Sequence, residues 1–110
     1  MTISYFVRYQ KLGAALDSFD EYYCRQHADI LAQFPGVRSL AVHRPATARD
    51  PFATTPDPTD FLAQMTFDST DALAAALQSE ARARAREDFV NLPTSGGPVT
   101  HQAMITRRLF

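Results

Sequence analysis

The chain has 110 residues and a net charge of −1, with 45% hydrophobic and 21% charged residues, which is typical of one globular domain, here expected over residues 1–110. The 11 basic residues are spread along the sequence, so a nucleic-acid partner is not expected, because such a partner requires a continuous basic patch. No stretch reaches the roughly 20 apolar residues needed to span a bilayer, so a membrane partner is not expected either.

The cysteine content bears on location. Cys24 is the only cysteine, which excludes a disulfide within the chain and favours a reducing cytoplasm. The first residues lack the basic stretch and long apolar run of a signal peptide, which favours the same location. We interpret Cys24 as a packing residue, since it lacks the cationic surroundings that favour a thiolate.

The first two predicted elements are a strand and a long helix. Residues 3–9 alternate, with Ile3, Tyr5, Val7 and Tyr9 on one face, and period-two alternation predicts a strand. From about residue 14 to 34 apolar positions recur every three or four residues, which predicts an amphipathic helix. Its inward stripe contains Leu16, Phe19, Tyr23, His27, Ile30 and Phe34. Pro35-Gly36 is expected to end this helix.

Two strands and a loop follow. Residues 37–45 and 60–67 read as strands, whereas residues 46–59 contain three prolines and no apolar periodicity. We therefore predict a loop over 46–59, and expect it to be the most mobile part of the chain between the termini.

The last part of the chain is predicted to be a helix and a strand. Asp68 or Ser69 can cap a helix from about 70 to 79, which continues, with a kink, to about 90 with Ala81, Ala85 and Phe89 in phase. A turn-rich loop precedes a strand at about 99–108. The basic run of this helix is followed by two acidic residues and is interpreted as a solvated face. Its members are Arg82, Arg84 and Arg86.

The element order β-α-β-β-α-β predicts an α+β, ferredoxin-like fold. Its four-stranded antiparallel sheet is expected to carry both helices on one face. Alternation assigns to the helix side Ile3, Tyr5, Val7, Ala41, Ala63, Met65, Phe67, Ala103 and Ile105.

The opposite sheet face is then predicted to be apolar, with Phe6, Leu40, Val42, Leu62 and Met104. Such a patch is unfavourable in water, so we expect a homodimer in which two sheets pack face to face. A monomer with a mixed, partly exposed sheet is the alternative. Arg8 and Arg44 are placed near this face, where they either pair with acidic residues or bind an acidic ligand.

Several segments together resemble a known family. They are Tyr5-Phe6-Val7-Arg8-Tyr9, the helix with Phe19, Tyr22, Tyr23 and His27, the turn Pro35-Gly36-Val37, the stretch from Phe67-Asp68-Ser69 to Ala76, and Arg86-Glu87-Asp88-Phe89. In order and spacing they resemble the EthD family of the dimeric α/β-barrel superfamily, over nearly the whole chain. Relatives include methylmuconolactone isomerase and fungal polyketide decarboxylases or dehydratases. The resemblance implies the fold and leaves the reaction open, since one fold hosts many chemistries.

His27 is the candidate catalytic residue. It interrupts an apolar stripe, and a buried imidazole needs a hydrogen-bond partner. One interpretation is a core histidine bonded to a carbonyl or a tyrosine. The resemblance favours the other, a histidine that lines a ligand pocket and acts as an acid or base.

Five further residues are candidate ligand contacts on the same facing surfaces. Tyrosine offers a ring face and a hydroxyl to an aromatic or polyketide-like ligand. The five residues are Tyr5, Tyr9, Tyr23, His43 and His101. For His43 and His101 the alternative is a solvated position near a strand end. The three histidines lack the short spacing of a zinc site, so neither a metal nor another cofactor is expected.

The leading functional hypothesis is a small cofactor-free lyase, dehydratase or isomerase. It would act by proton transfer on an aromatic, lactone or polyketide-like metabolite, with His27 as acid or base. The alternative is a non-catalytic accessory protein that binds a small hydrophobic ligand in a degradation pathway. Catalysis needs a second polar group near the reacting atom, whereas binding alone needs only apolar walls.

Overall fold

The computed structural model describes residues 1–94 and 96–110, and it contains the elements expected from the sequence. The strands are β1 (Thr2–Gln10), β2 (Ser39–His43), β3 (Thr59–Phe67) and β4 (Val99–Thr106). The helices are α1 (Leu16–Tyr22), α2 (Ala28–Leu31), α3 (Thr70–Leu77) and α4 (Glu80–Asp88). Short 3₁₀ turns precede α1 at Gly13–Ala15 and follow α4 at Phe89–Asn91. In the described part of the chain, no helix combines the length and apolar character that a membrane crossing requires.

The four strands form one antiparallel sheet in the order β2-β3-β1-β4. Each β-α-β half contributes one central and one edge strand, so the first strand of each half pairs with the first strand of the other. The α+β, ferredoxin-like prediction is confirmed. Both helical segments pack on the sheet face that carries Ile3, Phe61 and Phe67, each at most 1% exposed.

Serine caps set where the second helical segment begins and where it kinks. The Ser69 hydroxyl accepts a hydrogen bond from the Ala72 N–H at 3.0 Å and starts α3. The Ser79 hydroxyl accepts one from the Arg82 N–H at 3.2 Å and starts α4. Each cap satisfies an N–H that the first turn of a helix leaves unpaired. The predicted continuation with a kink is therefore two helices separated by a capping serine.

The first helical segment contains a π-helical turn, Tyr23–His27, between α1 and α2. Residues spaced by four drift around a regular α-helix, because one turn takes only 3.6 residues. The wider turn cancels that drift, so Phe19, Tyr23, His27 and Leu31 all face the sheet. Leu31, at 4% exposure, takes the inward position that the sequence pattern gave to Ile30, which is only half-buried.

Two glycines stand where another residue would not fit. Gly36 has φ +76° in the turn after α2, a conformation that L-residues with a side chain rarely adopt. This agrees with the predicted stop at Pro35-Gly36. A Cβ added to Gly97 would lie 2.0 Å from the Gln10 carbonyl oxygen. The approach to β4 therefore passes directly against the end of β1.

The faces of β1, β3 and β4 match the predicted alternation, whereas that of β2 is reversed. Leu40 pairs with Met65 and Val42 with Ala63, so both lie on the helix side. Ala41 pairs with Gln64 and therefore lies on the opposite side. Strand period fixes which side chains share a face, and pairing with β3 decides which face that is.

The face opposite the helices is less apolar than predicted as a result. Its large apolar members are Phe6, Leu62 and Met104, the reversed β2 adds only the small Ala41, and Leu40 and Val42 do not belong to it. Arg8 lies there, over the Phe6 ring at 5.2 Å, and it donates to Gln102 at 3.1 Å.

Two other polar side chains lie where the sequence did not place them. Arg44 follows the short β2 and turns to the helix side, where it bonds Asp17 and Asp20, each at 2.9 Å. Its predicted place near the opposite face is therefore wrong. Cys24 is exposed and donates to Asp20 at 3.1 Å, so its interpretation as a packing residue is also wrong. Partial desolvation of the sulfur, followed by the hydrogen bond to the Asp20 carboxylate and its charge, raises the pKa of this largely exposed thiol.

The segment between β2 and β3 has no helix or strand. Its side chains are exposed from residue 44 to 58, and Phe52 is 79% exposed. The prediction of a surface loop is confirmed, with β3 starting at Thr59. Its mobility stays a prediction.

Candidate functional site

A cavity of about 270 Å³ lies between the first helical segment, α4 and the sheet. Tyr5, Tyr9 and His101 line it from β1 and β4, and Tyr23 and His27 line it from the π-helical turn. Cavities that hold drug-sized ligands measure roughly 300–1,000 Å³. The volume thus suits a molecule of one or two rings.

His27 is anchored by a carboxylate from α4. Its ring is part of the buried stripe, at 5% exposure, and Nδ1 lies 2.9 Å from Oδ2 of Asp88. An ionised carboxylate only accepts hydrogen bonds, so Nδ1 is the nitrogen that donates. In the neutral ring Nε2 is then left without a proton, with a lone pair available to an incoming group.

Asp88 is itself held by three neighbours. Its Oδ1 accepts from the Tyr22 hydroxyl at 2.7 Å and from the Asn91 amide at 3.0 Å. Burial alone raises the pKa of Asp88, but the hydrogen bonds from Asn91, Tyr22 and His27 together outweigh it, and the pKa is lowered. Asp88 is therefore ionised at neutral pH, as the role of an acceptor for His27 requires.

The aromatic wall combines stacked rings with hydroxyl donors. Tyr23 lies 4.9 Å from His27 and 5.8 Å from Phe19, measured between ring centroids. Burial raises the pKa of Tyr9 to about 12 and also raises that of Tyr23. Both phenols thus keep their protons across the physiological range. Their hydroxyls are hydrogen-bonded to each other, which leaves one O–H of the pair as a donor for a ligand.

Two arginines of α4 also line the cavity. Arg82 and Arg86 lie near Tyr5 and His101, which face each other at 6.0 Å across β1 and β4. His101 is exposed to solvent at the cavity edge, so the solvated alternative applies in part. Partial desolvation, followed by these two positive charges, lowers its pKa. Burial raises the pKa of Tyr5, while the two arginines oppose that rise. His101 is thus held neutral at pH 7, beside two permanent cations.

Of the six residues singled out from the sequence, the structure brings five to one cavity. They are Tyr5, Tyr9, Tyr23, His27 and His101. His43 is the exception, and its predicted place on the cavity side is wrong. It pairs with Leu62 on β3 and lies 3.3 Å from the Gln64 side chain on the opposite sheet face. The cause is the reversed face of β2.

Sequence reasoning missed Asp88 and the two cavity arginines. Asp88 lies in phase with Ala81, Ala85 and Leu92, all of which are buried. It therefore interrupts an apolar stripe, which is the same pattern that identified His27. The sequence interpretation put Phe89 in that stripe, but Phe89 is 39% exposed and lies at the edge of the cavity. Arg82 and Arg86 are four residues apart and therefore share one helix face. The sequence interpretation treated the whole basic run as solvated and so missed that this face borders the cavity.

The described residues, 1–94 and 96–110, include no group of three or more histidine, cysteine, aspartate or glutamate side chains placed to hold a metal ion. The histidine side chains themselves are divided between the two sheet faces, with His27 and His101 on one and His43 on the other.

Comparison with known proteins identifies the family. The model of the EthD domain matches residues 11–92. No curated protein matches the chain in sequence. An ethyl tert-butyl ether degradation (EthD) family protein from Bacillus halodurans superposes with a TM-score of 0.74 at 19% identity, over 97% of this chain and 100% of that one.

Two other similar structures come from Streptomyces. One is a monooxygenase from the gene ActVA-Orf6 of Streptomyces coelicolor, in complex with nanaomycin D. Its TM-score is 0.66 at 18% identity, over 99% of this chain and 89% of that one. The other is SnoaB, a cofactor-independent oxygenase from Streptomyces nogalater. Its TM-score is 0.63 at 17% identity, over 97% and 94%. At these identities the likeness concerns the fold, while the family model covers most of the sequence, and the chain belongs to the EthD family.

Proposed function

We propose that the protein is a cofactor-independent enzyme of small-molecule metabolism that moves a proton on an aromatic, lactone or polyketide-like substrate. The reaction would be an isomerisation, a dehydration or another elimination. The observation that carries this proposal is the 2.9 Å hydrogen bond between His27 and Asp88 at the wall of the cavity. A carboxylate that fixes the proton on Nδ1 makes Nε2 a directed base.

In the proposed reaction, Nε2 of His27 removes a proton from an acidic C–H or O–H of the substrate. The ring becomes an imidazolium, which the Asp88 carboxylate stabilises, and the electron pair moves onto a substrate oxygen. In an isomerase the same nitrogen returns the proton to a different atom. In a dehydratase it gives the proton to a departing hydroxyl, which leaves as water.

The hydroxyls of the aromatic wall supply the second polar group that such chemistry needs. The phenols of Tyr9 and Tyr23 stay protonated at neutral pH and are hydrogen-bonded to each other. The hydroxyl that accepts in this pair keeps its own proton free and can donate it to an oxygen that gains negative charge. A protein that only stored a hydrophobic ligand would need no paired histidine in its cavity wall. The buried His27–Asp88 pair therefore favours catalysis over simple binding.

The structural neighbours support a role in small-molecule metabolism. Two of them are described as oxygenases, and one contains the ligand nanaomycin D. These descriptions fit a fold that holds a compact organic substrate. The class of reaction proposed here comes from the histidine and the carboxylate of this chain.

Deuterium exchange tests the proton-transfer proposal without a known substrate. A panel of aromatic ketones and unsaturated lactones, each with one acidic C–H, is incubated in D₂O with the protein, and label uptake is followed by mass spectrometry. We expect at least one compound to exchange faster with the wild type, and His27→Gln to lower that rate about 10²–10⁴-fold. His43→Gln is the matched control, because its ring lies on the other sheet face, and it should exchange like the wild type.

Two results would contradict the proposal. One is exchange no faster than in buffer for every compound of the panel. The other is wild-type exchange by a His27→Gln variant whose circular dichroism shows it to be folded. Equal losses in both histidine variants would assign the effect to general destabilisation.

We further propose that the chain forms a homodimer through the sheet face with Phe6, Leu62 and Met104. The accessible surface of one chain is 7478 Å², against ~6,100 Å² expected for a compact monomer of its mass. The radius of gyration is 14.9 Å, against ~13 Å for a compact domain of this length. A chain with more accessible surface than a compact monomer of its mass is typical of a subunit that buries part of that surface against a second copy.

Sedimentation velocity at micromolar concentration tests the dimer. We expect the wild type to sediment as a dimer and Met104→Asp, at a site 44% exposed in the single chain, to shift it toward monomer. Val90→Asp places the same charge at a site 83% exposed and away from that face, and should leave the dimer intact. A monomeric wild type would refute this proposal.

A further inference from the structure

Arg82 and Arg86 are two cavity-lining cations without an acidic partner. Among residues 1–94 and 96–110, neither guanidinium forms an ion pair with a carboxylate. Of the three acidic residues of the same helix, Glu80 pairs with Arg84 and Asp88 with His27. The third, Glu87, is exposed and forms no ion pair with Arg82 or Arg86 in the described part of the chain. Arg82 is half-buried and donates Nη1 to the Leu77 carbonyl at 3.2 Å, which fixes its position.

The groups that face these arginines are neutral. Tyr5 and His101 lie on the sheet side of the same cavity. The pKa of Tyr5 is raised and that of His101 is lowered, so at neutral pH neither group carries charge. This end of the cavity therefore carries an uncompensated positive charge in a partly enclosed space, where electrostatic interactions are stronger than in bulk water.

The position of the arginines relative to the catalytic pair follows from α4. Arg82 stands in its first turn and Asp88 at its last residue, which corresponds to a rise of ~9 Å along the axis. The α4 face with Arg82 and Arg86 borders the cavity, whereas Asp88 turns to His27 on the π-helical turn. A flat ligand of one or two rings can thus contact the arginines and the base at once.

We infer that Arg82 and Arg86 form an anion subsite, and that the ligand carries a carboxylate or an ionised acidic hydroxyl. This inference rests on the proposed function for its link to His27, although anion binding itself does not require catalysis. Arginine suits the role because its planar fork of donors pairs with two oxygens at once. The Tyr5 hydroxyl adds a neutral donor on the opposite wall.

Two ligands of similar shape, one anionic and one neutral, show how much the negative charge of a ligand contributes to its binding. Calorimetric titration with 2-naphthoate and 2-naphthamide compares two flat compounds that differ in charge and little in shape. We expect the wild type to bind naphthoate at least about tenfold more tightly than naphthamide. Arg82→Gln should reduce this preference about tenfold and Arg86→Gln, at a more exposed site, about threefold. The double variant should bind the two compounds equally.

Arg84→Gln is the control variant. This residue lies on the same helix but pairs with Glu80 and Gln33, so its replacement should leave the preference for naphthoate unchanged. Equal binding of both compounds by the wild type would overturn the inference. So would a preference that survives in the double variant, an equal loss in Arg84→Gln, or no saturable binding of naphthoate.

The two proposals fail separately. A preference for naphthoate that persists in His27→Gln, in a protein that exchanges no deuterium, would refute the enzyme and support the anion subsite. Exchange that depends on His27 in a wild type without preference for naphthoate would refute the subsite alone. Arg82→Lys gives a further check, since a point charge should restore part of the preference that glutamine removes.

Discussion

Replacing Asp88 with asparagine tests whether its carboxylate sets the position of the proton on His27. The amide keeps one oxygen and presents an NH₂ group in place of the other. If the oxygen stays with Tyr22 and Asn91, the NH₂ group faces Nδ1 of His27 and can only donate. The ring must then accept at Nδ1 and carry its proton on Nε2, which removes the base from the cavity.

The expected size of the effect follows from the contacts. Asp88 accepts hydrogen bonds at 2.7, 2.9 and 3.0 Å, and the His27 and Asp88 side chains are 7% and 13% exposed. Weakening one buried, charge-assisted bond costs about 1–3 kcal/mol in the free energy of unfolding. For a domain of this size that lowers Tm by roughly 4–12 °C.

The loss of stability in Asp88→Asn should depend on pH in a definite direction. Because the pKa of Asp88 is lowered in the folded protein, its contribution to stability is present above the pKa of an unfolded aspartate, about 3.9. It disappears as the pH falls through the folded value. The difference in unfolding free energy between wild type and variant should therefore be full at pH 7 and shrink below about pH 4.

Two measurements check this reasoning. Long-range ¹H–¹⁵N correlation spectra, recorded where the ring is neutral, should show the Nδ1–H tautomer of His27 in the wild type and the Nε2–H tautomer in Asp88→Asn. Thermal unfolding gives the loss of stability. Asp29→Asn makes the same chemical change at an exposed site and should alter the unfolding free energy by less than about 0.5 kcal/mol. An Nε2–H tautomer in the wild type would refute the assigned base.

Further predictions concern the core, the cavity and the loop. Phe19→Ala, at 0% exposure, should lower the free energy of unfolding by about 3–5 kcal/mol in chemical denaturation. Phe52→Ala, at 79% exposure, should lower it by less than about 0.5 kcal/mol. Similar losses in the two variants would contradict the assigned core. Arg86→Gln removes one of the charges that lower the pKa of His101, so an NMR titration should find that pKa higher in the variant, and an unchanged value would place the charge elsewhere. Residues 46–58 should lose amide protection first in hydrogen exchange, and protection equal to that of the strands would refute their mobility.

The element order could be predicted from periodicity because most elements have one solvent-exposed side and one buried side. Alternation in β1 and the three-to-four spacing before Phe34 are local properties of the chain. In contrast, the sequence of β2 alone does not determine which of its side chains point toward the helices. Leu40 and Val42 form one apolar set and Ala41 lies in the other, so both assignments looked acceptable until pairing with Met65 and Ala63 decided between them.

The sequence predicted those site residues whose position within an apolar helical stripe identifies them. His27 stood out as a polar residue in an apolar stripe, and Asp88 would have stood out by the same test if Leu92, instead of Phe89, had been taken as the end of its stripe. The hydrogen bond between them joins residues 61 positions apart, and such long-range pairings depend on how helices pack. The cavity charge of Arg82 and Arg86 was hidden because a basic run on a helix is usually solvated.

The π-helical turn bears on how this protein tolerates a change in length. A π-helical turn bonds residues five apart, whereas an α-helix bonds residues four apart, so Tyr23–His27 holds one residue beyond what the flanking helices require. Deletion of the exposed Gln26 would restore an ordinary amphipathic spacing and leave the core intact. It would also draw the imidazole along the axis by roughly 1.5 Å, one residue's rise, enough to break its bond to Asp88. The additional residue therefore places His27 within hydrogen-bond distance of Asp88. A homologue one residue shorter here would keep the fold but lose this hydrogen bond.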